Sequence, residues 1–238
     1  MLKKLFSYLI PINIYKSKSS VSKSIEVTWT NGELLIDSEN TNYSYGSLQR
    51  ILRIGLRKIG FNTIQTMDTI LVLGVAGGSV IKTLVNEIHF KGQITGVEID
   101  KEIIEVANSY FQLDQIPNLE IKIQDALDFV LRCKDQYNLI IIDVFEDLEM
   151  PSFLFEPYFR DKTLSLLKDN GYLLFNTMTL SEADNTRNKK FIDGLKNTKF
   201  KINSIPRIER HNELILVQPI NQKRFQKNSA NILLVLIK

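Results

Sequence analysis

The chain has 238 residues, of which 44% are hydrophobic and 24% charged, values typical of one large α/β domain with a small appendage. A net charge of +3 is too small to predict a nucleic-acid partner. Cys133 is the only cysteine, which excludes an intrachain disulfide, and no Cys/His spacing predicts a metal site. No apolar run reaches the length of a membrane span. We therefore predict a cytoplasmic protein with no membrane partner.

The first residues of the chain are apolar and then polar. Residues 5–10 form a short apolar run after two lysines, but Pro11 ends it and no small-residue cleavage site follows. Secretion is therefore not predicted. Residues 16–24 are mostly serine and lysine, a composition that predicts an exposed connector.

A strong turn signal follows. Asn31-Gly32 separates two strand-like segments, 25–30 and 33–37, and this dipeptide favours the positive φ angles of a type I′ turn, so we predict a β-hairpin. An apolar stripe over residues 47–59 then predicts an amphipathic helix. We predict two domains, an appendage of residues 1–60 and a main domain of residues 61–238.

From residue 69 onward, short apolar strands alternate with amphipathic helices. The predicted strands are 70–74, 94–99, 119–123, 139–144 and 172–178, and the predicted helices are 79–88, 101–111, 126–131, 152–167 and 185–195. This alternation predicts a parallel sheet with helices on both faces. Segments 213–220 and 231–237 follow as two further strands without a helix between them, so we predict that they pair antiparallel.

A turn of small residues joins the first of these strands to its helix. Residues 73–79 read LGVAGGS, and Gly74, Ala76 and Gly78 allow a sharp turn with backbone N–H groups close to a ligand. Such turns also occur without a ligand, so the turn indicates a nucleotide site only together with other residues.

Acidic residues follow the next three strands. Glu98 ends the second strand. Its separation from the glycine turn is near the interval of about 20 residues at which a carboxylate after such a turn meets ribose hydroxyls. Asp125 follows the third strand, where it can accept from an adenine amino group or cap the next helix. Asp143 follows the fourth strand and is the catalytic candidate, although a carboxylate there can also cap a turn. Because parallel strands end at one edge, we expect the turn and these acids to line one adenosine-shaped crevice.

Residues 69 to about 178 resemble the class I S-adenosylmethionine-dependent methyltransferases, and most of all their spermidine synthase (polyamine aminopropyltransferase) branch. The resemblance is carried by LVLGVAGGSV, GVEID, QDALDFV and IIIDVFEDLEMPSFLFEPYF, and NYSYGSL before the first strand extends it. It implies an α/β fold with a Rossmann-like seven-stranded methyltransferase sheet, a C-terminal antiparallel strand pair and a small N-terminal β-hairpin appendage.

The resemblance also implies a role for each candidate residue. S-adenosylmethionine, or its decarboxylated form, would be bound by Gly74, Ala76, Gly78, Glu98, Ile99, Asp125 and Ala126. Asp143 would activate the acceptor, with Asp147 as a second acid, and Tyr45 and Phe145 would border the acceptor site.

The sequence departs from spermidine synthases where those enzymes hold the amine. Spermidine synthases carry an Asp in the glycine turn, at the position that Gly77 occupies here. After their tyrosine they carry a polar residue and a Glu, at the positions of Gly46 and Ser47. Because these changes remove negative charge, we predict a methyltransferase acting on an unidentified small acceptor. Aminopropyl transfer and a non-catalytic adenosyl-binding module stay open as alternatives, as does a homodimer. A nicotinamide-dependent oxidoreductase is disfavoured by the helix-free C-terminal strand pair.

Overall fold

The computed structural model describes residues 2–19, 21, 24–37, 42–44, 46–146, 149–196 and 199–220. In these residues the strands form one sheet of four strands and one of seven. The larger sheet confirms the predicted α/β class. Within the same residues, no helix is both long enough and apolar enough to cross a bilayer.

The N-terminal sheet contains the predicted hairpin and two further strands. The elements are α1 (Leu2–Phe6), β1 (Ile12–Ser17), β2 (Ile25–Thr30), β3 (Glu33–Asp37) and β4 (Asn42–Ser44), with all neighbouring strands antiparallel. Asn31 and Gly32 join β2 to β3 with φ angles of 51° and 78°, as a type I′ turn requires. The connector predicted at residues 16–24 is wrong at its start, because Lys16 and Ser17 belong to β1 and pair with β2.

The rest of the chain alternates between helices and strands. The helices are α2 (Gly46–Ile59), α3 (Phe61–Gln65), α4 (Ser79–Lys82), α5 (Lys101–Phe111), α6 (Ala126–Arg132), α7 (Pro157–Ser165) and α8 (Glu182–Asp193), and a π-helical turn (Thr83–Glu87) extends α4. Two 3₁₀ turns lie at Leu113–Gln115 and Ser152–Phe155. The strands are β5 (Thr69–Leu73), β6 (Gln93–Glu98), β7 (Leu119–Ile123), β8 (Tyr137–Ile142), β9 (Leu167–Met178), β10 (Phe200–Ile208) and β11 (Asn212–Pro219).

The order of the large sheet places a crevice between β5 and β8. Its strand order is β10-β11-β9-β8-β5-β6-β7, with β5 to β9 parallel and the last pair antiparallel. From β5 the chain first builds outward through β6 and β7, and then returns to add β8 on the other side. Ligands of open α/β sheets bind at such a switch point, outside the carboxyl ends of the strands.

Strand β5 shows why its sequence is apolar at nearly every position. Ile70 and Val72 pack into one buried cluster with α2 and α4, whereas Leu71 and Leu73 pack into another with α6, α7 and α8. Successive side chains of a strand point to opposite faces, and both faces of this sheet are covered by helices. The cores on both faces therefore hold the ends of β5 and β8 in place.

The sheet ends in an antiparallel strand pair as predicted, but only one of its two strands was predicted correctly. The predicted strand 213–220 corresponds to β11, whose antiparallel partner at the sheet edge is β10. No strand was predicted at β10 because Pro206 and several polar residues interrupt its alternation. An edge strand tolerates Pro, and the β10–β11 register shifts between Ile205 and Ile208 around it. The predicted partner, residues 231–237, lies outside the described residues.

The helix predicted over residues 152–167 is also corrected. The structure divides it into the 3₁₀ turn Ser152–Phe155 and α7, which begins at Pro157. Proline fits the first turn of a helix because its missing N–H would have no partner there. Strand β9 then starts at Leu167, five residues before the predicted 172–178 strand begins.

Candidate functional site

The glycine turn after β5 lies directly against the end of β8. Gly74 N–H donates to Val97 O (2.9 Å) and Asp143 N–H donates to Leu73 O (2.8 Å). Gly74 has a φ of 83°, and a Cβ there would lie 2.1 Å from the carbonyl oxygen of Asp143. Only glycine fits both this backbone conformation and this contact. The turn and Asp143 are therefore fixed beside each other.

The remainder of the turn also has left-handed backbone. Ala76 has a φ of 45°, and Gly78, the residue before α4, has a φ of 77°. A Cβ on Gly78 would come within 2.5 Å of the Leu113 side chain. The small residues predicted from the sequence are thus required by close packing of the turn against β8 and the segment after α5.

Glu98 at the end of β6 is bound to this turn through its carboxylate. Its Oε2 accepts from the N–H groups of Val75 (3.0 Å) and Ala76 (2.9 Å), and its Oε1 accepts from those of Ile99 (2.9 Å) and Asp100 (3.0 Å). These four bonds use all the acceptor positions of a carboxylate. The predicted proximity of Glu98 to the glycine turn is confirmed.

Asp125 lies after β7, next to the end of β6. Gln124 N–H donates to Glu98 O (2.9 Å), and Asp125 Oδ1 accepts from Asp128 N–H (3.0 Å) as the N-cap of α6. The predicted cap is confirmed, and no hydrogen bond to Asp125 Oδ2 is seen from any described residue. Ala126 is buried, whereas the Ile99 side chain is 49% exposed beside Glu98.

Asp143 at the end of β8 is held by an amide. Asn176 Nδ2 on β9 donates to Asp143 Oδ1 (2.9 Å), and Asn212 Nδ2 on β11 donates to Asn176 Oδ1 (3.0 Å). Asn176 is fully buried. Burial raises the pKa of Asp143 to about 7, the Asn176 hydrogen bond opposes this rise and the charge of Glu98 adds to it. A carboxyl group with this pKa exchanges protons near neutral pH.

Of the three other residues predicted on the acceptor side, only Phe145 lies within the described residues. Phe145 is half-buried and packs against the core cluster on the α6, α7 and α8 face of the sheet. Glu146 and Glu149 then exchange two backbone hydrogen bonds. Tyr45 and Asp147 lie outside the described residues, so their roles stay predictions.

The two asparagines behind Asp143 were not predicted from the sequence. Asn176 stands at a core position of β9, in the run YLLFNTM, and a buried polar residue among apolar ones is a signal for a specific hydrogen bond. Asn212 carries no such signal because it lies at a strand end after a turn. Their partnership depends on strand order, which places β11 beside β9.

A contact from the N-terminal segment was also missed. Asp100 caps α5 by accepting from Ile103 N–H (3.1 Å), and its other oxygen accepts from the Ser19 hydroxyl (2.6 Å). The ring of Tyr15 lies 5.5 Å from that of Tyr110 on α5. The N-terminal sheet therefore borders the β6 side of the site. Among the described residues, no group of His, Cys, Asp and Glu is arranged to hold a metal ion.

The spermine/spermidine synthase domain family model matches residues 55–206, well over half of the chain. The chain belongs to this family. The polyamine aminopropyltransferase of Vibrio vulnificus is 30% identical over 118 residues, which cover 48% of this chain and 39% of the relative. The eEF1A lysine and N-terminal methyltransferase homolog of Drosophila melanogaster is 34% identical over 97 residues, which cover 41% of this chain and 13% of the relative. The matched regions are thus less than half of these curated relatives.

A solved structure supports the fold assignment. Human methyltransferase-like protein 13 in complex with SAH superposes with a TM-score of 0.62 at 25% identity, covering 74% of this chain and 83% of that chain. The predicted Rossmann-like methyltransferase fold of the spermidine synthase type is therefore confirmed. The relatives of the family include both aminopropyltransferases and methyltransferases.

Proposed function

We propose that the protein is an S-adenosylmethionine-dependent methyltransferase of the spermidine synthase-like family that acts on a small acceptor. The observation that carries the proposal is the meeting of three features at the β5/β8 switch point. The Gly74 turn touches the Asp143 backbone, and Glu98 is hydrogen-bonded to that turn. Relatives that transfer groups from adenosyl compounds share the fold, as the SAH complex of methyltransferase-like protein 13 illustrates.

The donors and acceptors of the crevice fit an adenosyl group. Asp125 uses only Oδ1 for its cap, which leaves Oδ2 to accept from an adenine amino group. The exposed face of Ile99 offers an apolar surface next to Glu98. Glu98 suits a ribose diol, but a diol must replace some of the four N–H donors that the carboxylate now accepts. Binding therefore includes a local exchange of hydrogen bonds at the glycine turn.

Asp143 is the residue placed to accept a proton from the acceptor. When bound, the sulfonium of the cofactor supplies a methyl group open to attack by a lone pair. Asn176 occupies Asp143 Oδ1, and no described residue donates to Oδ2, which can therefore take the acceptor's proton. The carboxyl pKa of about 7 means that the basic form is present at neutral pH. The asparagines hold this carboxyl in one position, which favours a productive geometry for attack.

Methyl transfer is preferred to aminopropyl transfer on the basis of charge. Gly77, Gly46 and Ser47 stand where spermidine synthases carry polar or acidic residues, and a polycationic amine would find fewer negative partners. Aminopropyl transfer remains the second candidate because the family and the Vibrio relative include that activity. Calorimetric titration with S-adenosylmethionine and its decarboxylated form separates them, since an aminopropyltransferase must bind the decarboxylated form more tightly.

The experiment on Asp143 tests the proposal directly. Asp143→Asn is expected to lower methyl transfer about a hundredfold or more, because the amide cannot accept the proton, while affinity for S-adenosylmethionine stays within about threefold. Transfer is measured with methyl-labelled cofactor against a panel of amines, phenols and carboxylic acids, and affinity by calorimetry. Asp135→Asn, an exposed acid that precedes β8 and so lies at the opposite end of that strand from Asp143, is the matched control. Undiminished transfer in Asp143→Asn, or a chain that binds cofactor but methylates nothing, would reject the catalytic assignment.

A further inference from the structure

The first described residues expose an unusual amount of apolar surface. Six large side chains between residues 2 and 10 are 52% to 81% exposed, and we call them the N-terminal patch: Leu2, Leu5, Phe6, Tyr8, Leu9 and Ile10. All six lie within nine consecutive residues, so this short segment concentrates exposed apolar side chains. Contiguous apolar surface of this kind on a protein marks a contact site, whereas isolated exposed apolar residues do not.

The N-terminal patch is anchored to the body of the protein. Ser7, in its middle, is only 2% exposed. Its carbonyl oxygen accepts from Asn31 N–H (2.9 Å), its hydroxyl accepts from Gly32 N–H (2.9 Å), and the hydroxyl donates to Lys4 O (2.7 Å). Gly32 also packs against the Tyr8 ring so closely that a Cβ would overlap it. The β2–β3 turn therefore presents the patch outward in a fixed position.

The charge of this region is one-sided. Residues 1–25 contain five lysines, no arginine and no acidic residue, so the segment carries +5, whereas the whole chain carries only +3. Lys3 and Lys4 stand within the patch itself, and Lys4 lies 5.7 Å from the centre of the Trp29 ring. Of the other lysines, Lys16 pairs with Glu26. The patch thus combines exposed apolar side chains with adjacent positive charge.

We propose that the N-terminal patch docks on an anionic membrane surface. Apolar side chains of a peripheral segment enter the interface while lysines meet the acidic headgroups, and each part strengthens the other. Such a contact needs no spanning helix, so it is compatible with the absence of a membrane span predicted from the sequence. The proposal differs from the prediction, made from the sequence, that the protein has no membrane partner.

Two other occupants fit the patch less well. A second copy of the chain, joined by a two-fold axis, would bring the same lysine-rich surface against itself and place like charges together. A nucleic acid would match the charge, but it would leave the aliphatic side chains of Leu2, Leu5, Leu9 and Ile10 without apolar partners. An acidic lipid surface satisfies both the charge and the apolar area.

Vesicle co-flotation of the full chain tests the proposal. The probes are phosphatidylcholine vesicles and vesicles in which roughly one third of the lipid is phosphatidylglycerol. We expect binding to the anionic vesicles, weakened about tenfold or more in Leu5→Asp/Leu9→Asp and also weakened in Lys3→Glu/Lys4→Glu. Both leucines are exposed, so these variants keep the fold, which thermal unfolding verifies. Leu131→Asp, a single change of the same kind, and Lys91→Glu/Lys201→Glu, the same double change, are the controls at exposed sites elsewhere.

The outcomes either support or overturn the docking surface. Selective loss of anionic-vesicle binding in the two N-terminal variants supports it. No binding by the natural chain, equal binding to neutral vesicles, or equal losses in the control variants overturns it. Sedimentation of the same proteins adds a further outcome: a dimer that Leu5→Asp/Leu9→Asp dissociates would assign the patch to a second copy instead. None of these measurements depends on the proposed methyl transfer.

Discussion

The two sides of the proposed site are held together by different kinds of contact. On the β6 side, a single carboxylate, Glu98, accepts four hydrogen bonds from the main chain of the glycine turn and its own strand end. On the β9 side, Asp143 is held by a relay of side-chain amides that crosses three strands, from Asn212 through Asn176. The first arrangement depends on local backbone geometry and the second on the order of strands in the sheet.

This difference suggests a division of labour. The β6 side is built mainly from main-chain N–H groups around one carboxylate, and it is the side to which we assign the adenosyl group in the proposed function. The amide relay depends on individual side chains and holds Asp143, the acid that we propose meets the acceptor, and its hydrogen bond from Asn176 opposes the rise in pKa that burial causes. We therefore expect changes on the β6 side to affect cofactor affinity and changes on the β9 side to affect the chemical step.

Replacing Glu98 should give the largest effect on binding. Glu98→Gln replaces one of the two acceptor oxygens with an NH₂ group, which donates. The N–H groups of the turn and the hydroxyls of a ribose diol then have one acceptor oxygen fewer. We expect affinity for S-adenosylmethionine to fall by roughly ten- to a hundredfold, with the rate at saturating cofactor nearly unchanged. Removing this charge also lowers the pKa of Asp143. In a plot of rate against pH, the acidic limb therefore moves to lower pH.

Calorimetry and steady-state kinetics over a range of pH measure both effects of Glu98→Gln. Glu105→Gln, at an exposed position of α5, is the matched control. If Glu98→Gln instead lowers the saturated rate and leaves affinity intact, the proposed division between the two sides is wrong.

Breaking the amide relay should give a smaller effect of a different kind. Asn176→Ala removes the hydrogen bond that lowers the pKa of Asp143, so that pKa rises further above its usual value. A base must be unprotonated to act, and we therefore expect the acidic limb to move to higher pH and the rate at neutral pH to fall about tenfold. Cofactor affinity should change little.

The control for the relay is another buried asparagine, Asn188 of α8, which hydrogen-bonds to the same end of β9. Asn188 is 1% exposed and donates to Thr177 Oγ1 (2.9 Å) and Glu213 Oε2 (2.9 Å), away from Asp143. Asn188→Ala should lower stability by a similar amount without moving the pH profile. A shift of the profile in both variants would show a general loss of structure instead of a specific role for Asn176.

The same contrast explains what the sequence could predict. The glycine turn and Glu98 are neighbours through a strand, a helix and a strand, and their spacing is set by that βαβ unit. The relay joins residues from β8, β9 and β11, and the sequence does not show that β11 inserts between β9 and β10. The edge strand β10 was missed for a related reason, because Pro206 is acceptable only once the strand is known to lie at an edge. Local patterns therefore predicted the cofactor side, and strand order determined the rest.

The last expected effect is on stability, and it distinguishes the environment of Asp143 from that of an exposed acid. The folded chain raises the pKa of Asp143 from 3.8 to about 7, so the neutral form is favoured by folding. The stabilising contribution is complete below pH 3.8 and is lost as the pH rises to about 7, because the unfolded chain ionises first. Relative to Asp143→Asn, which does not titrate, the natural chain should therefore lose unfolding free energy across this interval. Urea unfolding at several pH values measures the difference, and a difference that stays constant from pH 4 to 7 would mean that Asp143 titrates like an exposed carboxyl group.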